Sequence, residues 1–166
     1  HKKITNYILA LNCLFNNILC FLGLKFGFDF IWFLLYNLLE VNKKMNDCLF
    51  CKIIKGDIPS YKVYEDDDTL AFLDINPDSM GHTLVIPKKH FNNYEDIDLD
   101  TISKVNKTGK IVYNMLKERL KPEGIKLVQN NGVIQDVLHY HLHIIPIYTS
   151  DRDGKEDFDK ILEALR

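Results

Sequence analysis

Hydrophobic and polar positions change rhythm several times along this chain, and each change marks an element. Cys48 to Gly56 reads as a short helix closed by Gly56, with Pro59 forbidding its continuation. Tyr61–Glu65 and Thr69–Asp74 read as strands, split by the turn-prone Asp66-Asp67-Asp68. Asn76-Pro77-Asp78 makes a further turn, and the Val/Ile/Leu-rich run His82–Pro87 is the next strand. The longest helix spans Asp100 to Leu120, capped by Asp98 or Asp100. Its apolar stripe is Ile102, Val105, Ile111, Val112, Met115, Leu116 and Leu120. Gly109 interrupts that stripe, which predicts close packing there. Ile125–Asn130 and His139–Ile147 are the last strands, and Asp153 can cap a terminal helix running through Leu165. Strands joined mostly by hairpins around one long helix predict an α+β domain with a five-stranded antiparallel sheet and short flanking helices.

The strictest alternation lies between Val137 and Pro146, where His139, His141 and His143 interleave with Tyr140, Leu142 and Ile144. Side chains in a strand repeat every two residues, so the imidazoles share one face and the apolar residues the other. One strand would then show three histidines to a cleft while burying its back. A fortuitous His-rich strand or a tag is the bland alternative. A tag, however, would be contiguous and terminal.

Composition divides the chain near Met45. Residues 1–44 hold 27 residues from the set AVILMFWYC, only Asp29 and Glu40 as acids, and no Pro. Ile18 to Leu39 is long enough to cross a bilayer, yet Lys25 and Asp29 fall near its middle and Gly23 and Gly27 interrupt it. Lys2 and Lys3 supply the basic start of a secretory signal, but no Ala-x-Ala-like cleavage site follows. The segment therefore reads as a dispensable extension, a targeting or membrane leader, or packed structure, and Met45 begins a self-sufficient domain over 45–166. From Met45 onward 16 Lys/Arg stand against 21 Asp/Glu, a net charge of −5 with His neutral. Such acidity argues against a nucleic-acid groove but leaves room for a small nucleotide.

Cys48-Leu49-Phe50-Cys51 is a Cys-x-x-Cys pair. A thioredoxin-like use needs a strand-to-helix junction in a βαβ unit, and none follows. Two thiolates on a short turn suit zinc better, with His90 and His139 available to complete a tetrahedral set.

Several blocks occur in order: Cys48-x-x-Cys51-Lys52-Ile53-Ile54, Ile58-Pro59, Glu65-Asp66-Asp67, Ala71-Phe72-Leu73-Asp74-Ile75, Gly81-His82-Thr83-Leu84-Val85-Ile86-Pro87-Lys88-Lys89-His90, Asn130-Asn131-Gly132 and the three-histidine run. Together they resemble the histidine triad (HIT) family of nucleotide-binding hydrolases and transferases, specifically its Hint-like branch with a Cys-x-x-Cys zinc knuckle. The resemblance covers about Asp47 to Pro146. It implies His141 as a nucleophile toward the α-phosphorus of a nucleotide, forming a nucleotidyl-histidine intermediate. His143 and His82 would attend the phosphate. It further implies Asp74 on the ribose hydroxyls, Phe50, Ile58, Phe72 and Ile75 around the base, and Asn130 and, more loosely, Gln135 near the phosphate or leaving group. Structural zinc on Cys48, Cys51, His90 and His139 is implied too, as is a homodimer pairing two sheets into ten strands.

The activity this resemblance favours is hydrolysis of purine nucleoside 5′-phosphoramidates in the cytoplasm. An organelle or membrane location would follow from a true leader. Cleavage of dinucleoside polyphosphates and non-catalytic nucleotide or protein binding are the alternatives. The chain departs from the pattern at Gly132-Val133-Ile134-Gln135-Asp136, which is shorter than in relatives, lacks a second Gly, and puts Asp136 where a small hydroxyl-bearing residue is usual. Ile147-Tyr148 also replaces a frequent Arg, and the Trp-bearing tail of one Hint subgroup is missing from the sequence.

Overall fold

A computed structural model describes residues 34–39, 47–149 and 157–166. The chain divides into two compact units, His1–Lys43 and Lys44–Arg166. In the first, residues 34–39 are helical, with Leu34, Leu35, Tyr36, Leu38 and Leu39 exposed. The rest of the apolar segment 1–44 lies outside the described residues. Among the described residues no helix is long and apolar enough to cross a membrane.

The second unit is α+β. Helix α1 (Leu49–Lys55) is followed by strands β1 (Lys62–Glu65), β2 (Thr69–Leu73) and β3 (Thr83–Pro87). Helix α2 (Leu99–Arg119), strands β4 (Gly124–Val128) and β5 (Leu142–Ile147) and helix α3 (Phe158–Leu165) complete it. Among the described residues the strands form one antiparallel sheet in the order β1-β2-β3-β5-β4. Gly56, with φ of +84°, closes α1 as a left-handed cap whose N–H bonds the Ile53 and Lys52 carbonyls. Asp98 rather than Asp100 caps α2, accepting from the Thr101 N–H at 2.8 Å.

Two apolar layers sandwich the sheet. Ala71, Leu73, Val85, Leu142 and Ile144 pack against Val105, Val112, Leu116 and Leu120 of α2 and its C-cap, and against Ile161 and Leu165 of α3. The opposite face presents Leu70, Phe72, Leu84 and Ile86 to Phe50 and Ile53 of α1. With both faces covered, β2 and β3 are buried at every position, which is why they read as continuous apolar runs. At Gly109 an added Cβ would lie 3.0 Å from Leu142 Cδ2, so α2 crosses β5 at close range there.

Several boundaries differ from the expectation. The ladder of β5 begins at Leu142, not His139, because the chain before it bonds elsewhere. The Tyr140 N–H donates to the Phe91 carbonyl, and the His139 ring nitrogen Nε2 lies 2.9 Å from the Pro87 carbonyl. Strand β4 starts at Gly124 and ends at Val128, leaving Asn130 beyond it. Ile111 is only half-buried and stands outside the core, whereas Thr108 enters it, bonding Thr69 Oγ1 at 2.7 Å. Asp153 lies outside the described residues; α3 is capped by Asp157, which accepts from the Asp159 N–H.

Gly81 carries a specific expectation. It has φ of +81°, and a Cβ there would sit 2.5 Å from Leu120 Cδ1 and 3.3 Å from Leu116 Cδ2. Strain and overpacking add, so Gly81→Ala should lose about 2 kcal/mol or more of stability. Urea denaturation checks this; an unchanged midpoint would show that the turn relaxes freely.

Candidate active site and metal centre

Two clusters of chemical side chains flank the α1 face of the sheet. The β3–β5 register sets Leu84 opposite His143, which aims that imidazole to the same side as Phe72 and Leu84. The β2–β3 connection supplies the rest. The Asp74 N–H donates to the His82 carbonyl at 2.9 Å, and Asp74 Oδ1 accepts from the Asn76 N–H, which bring the Asp74 carboxylate beside His82. Asp74 Oδ2 is 3.8 Å from His82 Nε2.

Hydrogen bonds decide which nitrogen of each imidazole carries a proton. The Asp78 N–H donates to His82 Nδ1 at 3.1 Å, so that nitrogen is an acceptor and a neutral His82 is protonated at Nε2. His82 Nε2 lies 3.0 Å from His143 Nδ1, which must then accept. His143 is left with its proton on Nε2, a buried atom with no partner among the described residues. His141 Nδ1 lies 2.7 Å from the His139 carbonyl, so it donates and leaves the lone pair on Nε2, which meets no hydrogen-bond partner among the described residues. One donor without an acceptor and one lone pair without a proton thus stand on neighbouring rings whose centroids are 4.8 Å apart.

Burial keeps these rings neutral. It lowers the pKa of His141 and of His82, against the opposing pull of Asp74 on both. It also takes His143 down to about 4, aided by His141 and His82. Since the unfolded chain keeps an ordinary histidine, it binds more protons than the folded chain between pH 6.5 and about 4. Stability should therefore be complete above pH 6.5 and decline as pH falls toward 4. Urea titrations of wild type and His143→Asn should show a shallower acid decline in the variant; equal slopes would overturn the assignment.

The second cluster joins Cys48, Cys51, His90 and His139, whose ligand atoms all lie within 4.8 Å of one another. Cys48 caps α1 and Cys51 sits in its first turn. Cys48 Sγ is 3.5 Å and Cys51 Sγ 3.6 Å from His139 Nδ1, and Cys51 Sγ is 3.3 Å from His90 Nδ1. A tetrahedral zinc with ordinary Zn–S and Zn–N bonds separates sulfur from nitrogen by about 3.5 Å. The residues fit such an ion. His139 donates Nε2–H to the Pro87 carbonyl and so turns the lone pair of Nδ1 inward, while His90 Nε2 is 3.4 Å from Asn92 Oδ1. Burial holds His139 near 4, so it stays neutral, and burial with the neighbouring Cys48 pushes the Cys51 thiol up to about 12. Two thiolates side by side need a cation, as a metal would provide.

Asp74, His82 and His143 form another set with ligand atoms within 4.8 Å. The Asp78 N–H makes this set a poor metal site, because it keeps the His82 proton on the nitrogen that would have to ligate.

The remaining sequence candidates are dispersed. Phe50 and Phe72 are buried and meet edge-on at 5.5 Å, and Phe50 also meets the His141 ring edge-on at 5.4 Å. Ile58 is half-buried and Ile75 exposed. Asn130 is half-buried. Gln135 is buried, and its amide nitrogen is committed to the Asn92 and Val137 carbonyls, leaving Oε1 without a partner among the described residues. The roles of Asp78 and the Pro87 carbonyl were not legible beforehand: they act through backbone groups that no side-chain pattern reports.

Comparison with known proteins places the fold in a family. An uncharacterised HIT-like protein of Methanocaldococcus jannaschii is 42% identical over 128 residues, covering 72% of this chain and 98% of the relative. An adenosine 5′-monophosphoramidase of Schizosaccharomyces pombe is 45% identical over 101 residues, covering 60% of this chain and 73% of the relative. A zinc-bound histidine triad family protein from Mycobacterium smegmatis superposes with a TM-score of 0.67 at 34% identity, covering 74% of this chain and 92% of that one. The HIT domain model matches residues 55–150, and the chain belongs to the HIT domain family.

Proposed function

We propose that this protein hydrolyses purine nucleoside 5′-phosphoramidates through a nucleotidyl-histidine intermediate on His141, as a member of the zinc-bearing Hint-like branch. The observation that carries the reading is the pairing of a free His141 Nε2 lone pair with an unsatisfied His143 Nε2–H. A neutral imidazole can attack without first losing a proton, and a buried donor awaiting an anion is suited to a phosphoryl oxygen.

In the first step His141 Nε2 bonds the α-phosphorus and the P–N bond breaks. The amine departs with a proton from solvent. His143 Nε2–H donates to a non-bridging oxygen, and His82, fixed by the Asp78 N–H, holds the His143 ring in that tautomer. In the second step water attacks phosphorus, releases a proton, and frees neutral His141 with the nucleoside monophosphate. Asp74 would accept from the ribose hydroxyls, and Ile58 and Ile75 would flank the base in front of Phe50 and Phe72. Asn130 would reach toward the leaving group. Gln135, with its amide nitrogen engaged, would offer only Oε1. Mass spectrometry of protein quenched with an adenosine phosphoramidate tests this: an adduct of nucleotidyl mass on His141 is expected, and turnover without any adduct on that residue would sink the mechanism.

Zinc is the metal that the two thiolates and two imidazoles suit, with all four positions filled by protein. Its contribution would be structural: it ties α1 to the start of the catalytic run through His139, two residues before the nucleophile. The similarity to an adenosine 5′-monophosphoramidase and to a zinc-bound histidine triad protein supports both readings.

Residues 1–44 would take no part in the chemistry, because every site residue lies between Cys48 and His143. Deleting them should leave kcat/KM for a nucleoside phosphoramidate unchanged, and lost affinity would place the segment on the cleft. Partition of the two proteins between cytosolic and membrane fractions separates a cytoplasmic enzyme from an anchored one. The same truncated protein should sediment as a dimer. Strand β4 is an edge strand with Leu127 exposed, and pairing it with its equivalent in a second copy, alongside α2, would join two sheets into ten strands. A monomer at micromolar concentration would exclude that dimer.

A further inference from the structure

Two irregular segments meet beside the triad run. Beyond β4 the chain leaves the sheet, and residues 129–135 are built around one short helical turn, Gly132–Ile134, with Val133 and Ile134 exposed. Asn130 and Gln135, on the proposed leaving-group side, belong to this segment. Its position comes from the chain that follows His90. The Tyr94 N–H donates to Asn131 Oδ1 at 3.0 Å, and the Gln135 amide donates to the Asn92 carbonyl. The neighbouring Phe91 carbonyl takes the Tyr140 N–H.

One loop positions another only if it is itself fixed, and here a carboxylate fixes it. Asp96 Oδ2 accepts from the Asn92 N–H at 2.9 Å and from Asn92 Nδ2 at 2.6 Å, and Asp96 Oδ1 accepts from the Asn93 N–H at 3.0 Å. Phe91 and Ile97, both in the core, pin the ends of this turn. The bond from Nδ2 also decides which way the Asn92 amide is turned. Only its NH2 can face a carboxylate, so Oδ1 faces His90 Nε2, 3.4 Å away, and can only accept. His90 then carries its proton on Nε2 and presents the Nδ1 lone pair toward Cys51 Sγ at 3.3 Å.

We propose that Asp96 is a positioning residue that couples the Cys48, Cys51, His90 and His139 site to the leaving-group side of the cleft. The catalytic half of this inference rests on the hydrolase reading. A single carboxylate selects the tautomer that makes His90 a ligand, and it holds the backbone on which Asn131 and Gln135 are fastened. An ionised acceptor holds such a turn more firmly than a neutral one. Asp96→Asn keeps the size but replaces one acceptor oxygen with a donor. The Asn92 amide is then free to turn over, and His90 loses the acceptor that orients it.

The test uses the full zinc-loaded chain, Asp96→Asn, and Asp157→Ala. The last removes the cap of α3, on the sheet face away from α1, and destabilises the domain without touching either site. A chromophoric chelator should strip zinc from Asp96→Asn about tenfold faster than from wild type, and from Asp157→Ala at the wild-type rate. Hydrogen exchange in Asp96→Asn should quicken by about tenfold in peptides spanning 92–96 and 129–135, and not in those from β2 and β3. With the adenosine phosphoramidate of propylamine, kcat should fall about tenfold while affinity for AMP, which has no leaving group, holds. Equal chelation rates in wild type and Asp96→Asn would overturn the proposal. So would faster release from both variants, the mark of general loosening. Faster release with unaltered exchange over 129–135 would confine Asp96 to the metal side and overturn the coupling. A wild type that cleaves no phosphoramidate would overturn the hydrolase reading alone, because chelation and exchange read the coupling without turnover.

Discussion

His141→Ala protein should release amine from an adenosine phosphoramidate at a rate lower by about 10^4-fold or more, because without the imidazole no covalent route remains. Its affinity for AMP should stay within roughly tenfold of wild type, since the proposed base and ribose contacts and the His143 donor are untouched. The split between kcat and binding matters more than either value. His141 is buried against Phe50, so truncation also leaves a cavity, and a general loosening of the domain would weaken AMP binding together with turnover. Isothermal titration with AMP, beside steady-state kinetics, separates the two. Comparable kcat in variant and parent would eliminate His141 as the nucleophile.

Removing the Cys48 and Cys51 thiols should produce the other large change. Purified protein is expected to hold about one zinc per chain, and the Cys48→Ser, Cys51→Ser double variant should hold none. The four side chains come from α1, the segment after β3, and the start of the triad run, so losing the ion unties three parts of the fold. Structural zinc in small modules binds with an apparent free energy on the order of 10 kcal/mol. This domain has two apolar clusters of its own, so a smaller share should appear as stability. A loss of roughly 3 kcal/mol would lower the melting temperature by about 10 °C in a domain of this size. Chelation of wild type should reproduce the shift. Elemental analysis finding no metal in protein never exposed to chelator would reject the site.

Much of the fold was legible because its signals are local. Gly56 and Asp98 announce helix ends through cap chemistry that needs only neighbouring residues, and the runs at Thr69–Leu73 and Thr83–Pro87 announce buried strands by composition. Boundaries failed where a distant partner competed for the backbone. His139, Tyr140 and His141 alternate as a strand would, yet the Phe91 carbonyl, more than forty residues earlier, takes the Tyr140 N–H and delays the ladder to Leu142. Thr108 was missed in α2 for a related reason. A hydroxyl looks solvent-facing until Thr69, from another strand, supplies its partner.

The sequence by itself determined which residue types are available to the site: two thiols three positions apart, three imidazoles at a spacing of two, and one carboxylate ending a buried strand. Only the tertiary structure decided what each imidazole can do. The rings are chemically identical, and a neutral histidine donates from one nitrogen and accepts at the other. Which is which follows from groups brought in by folding. The Pro87 carbonyl turns His139 toward the thiols, the His139 carbonyl frees Nε2 of His141, and the Asp78 N–H, relayed through His82, leaves His143 with a proton to give.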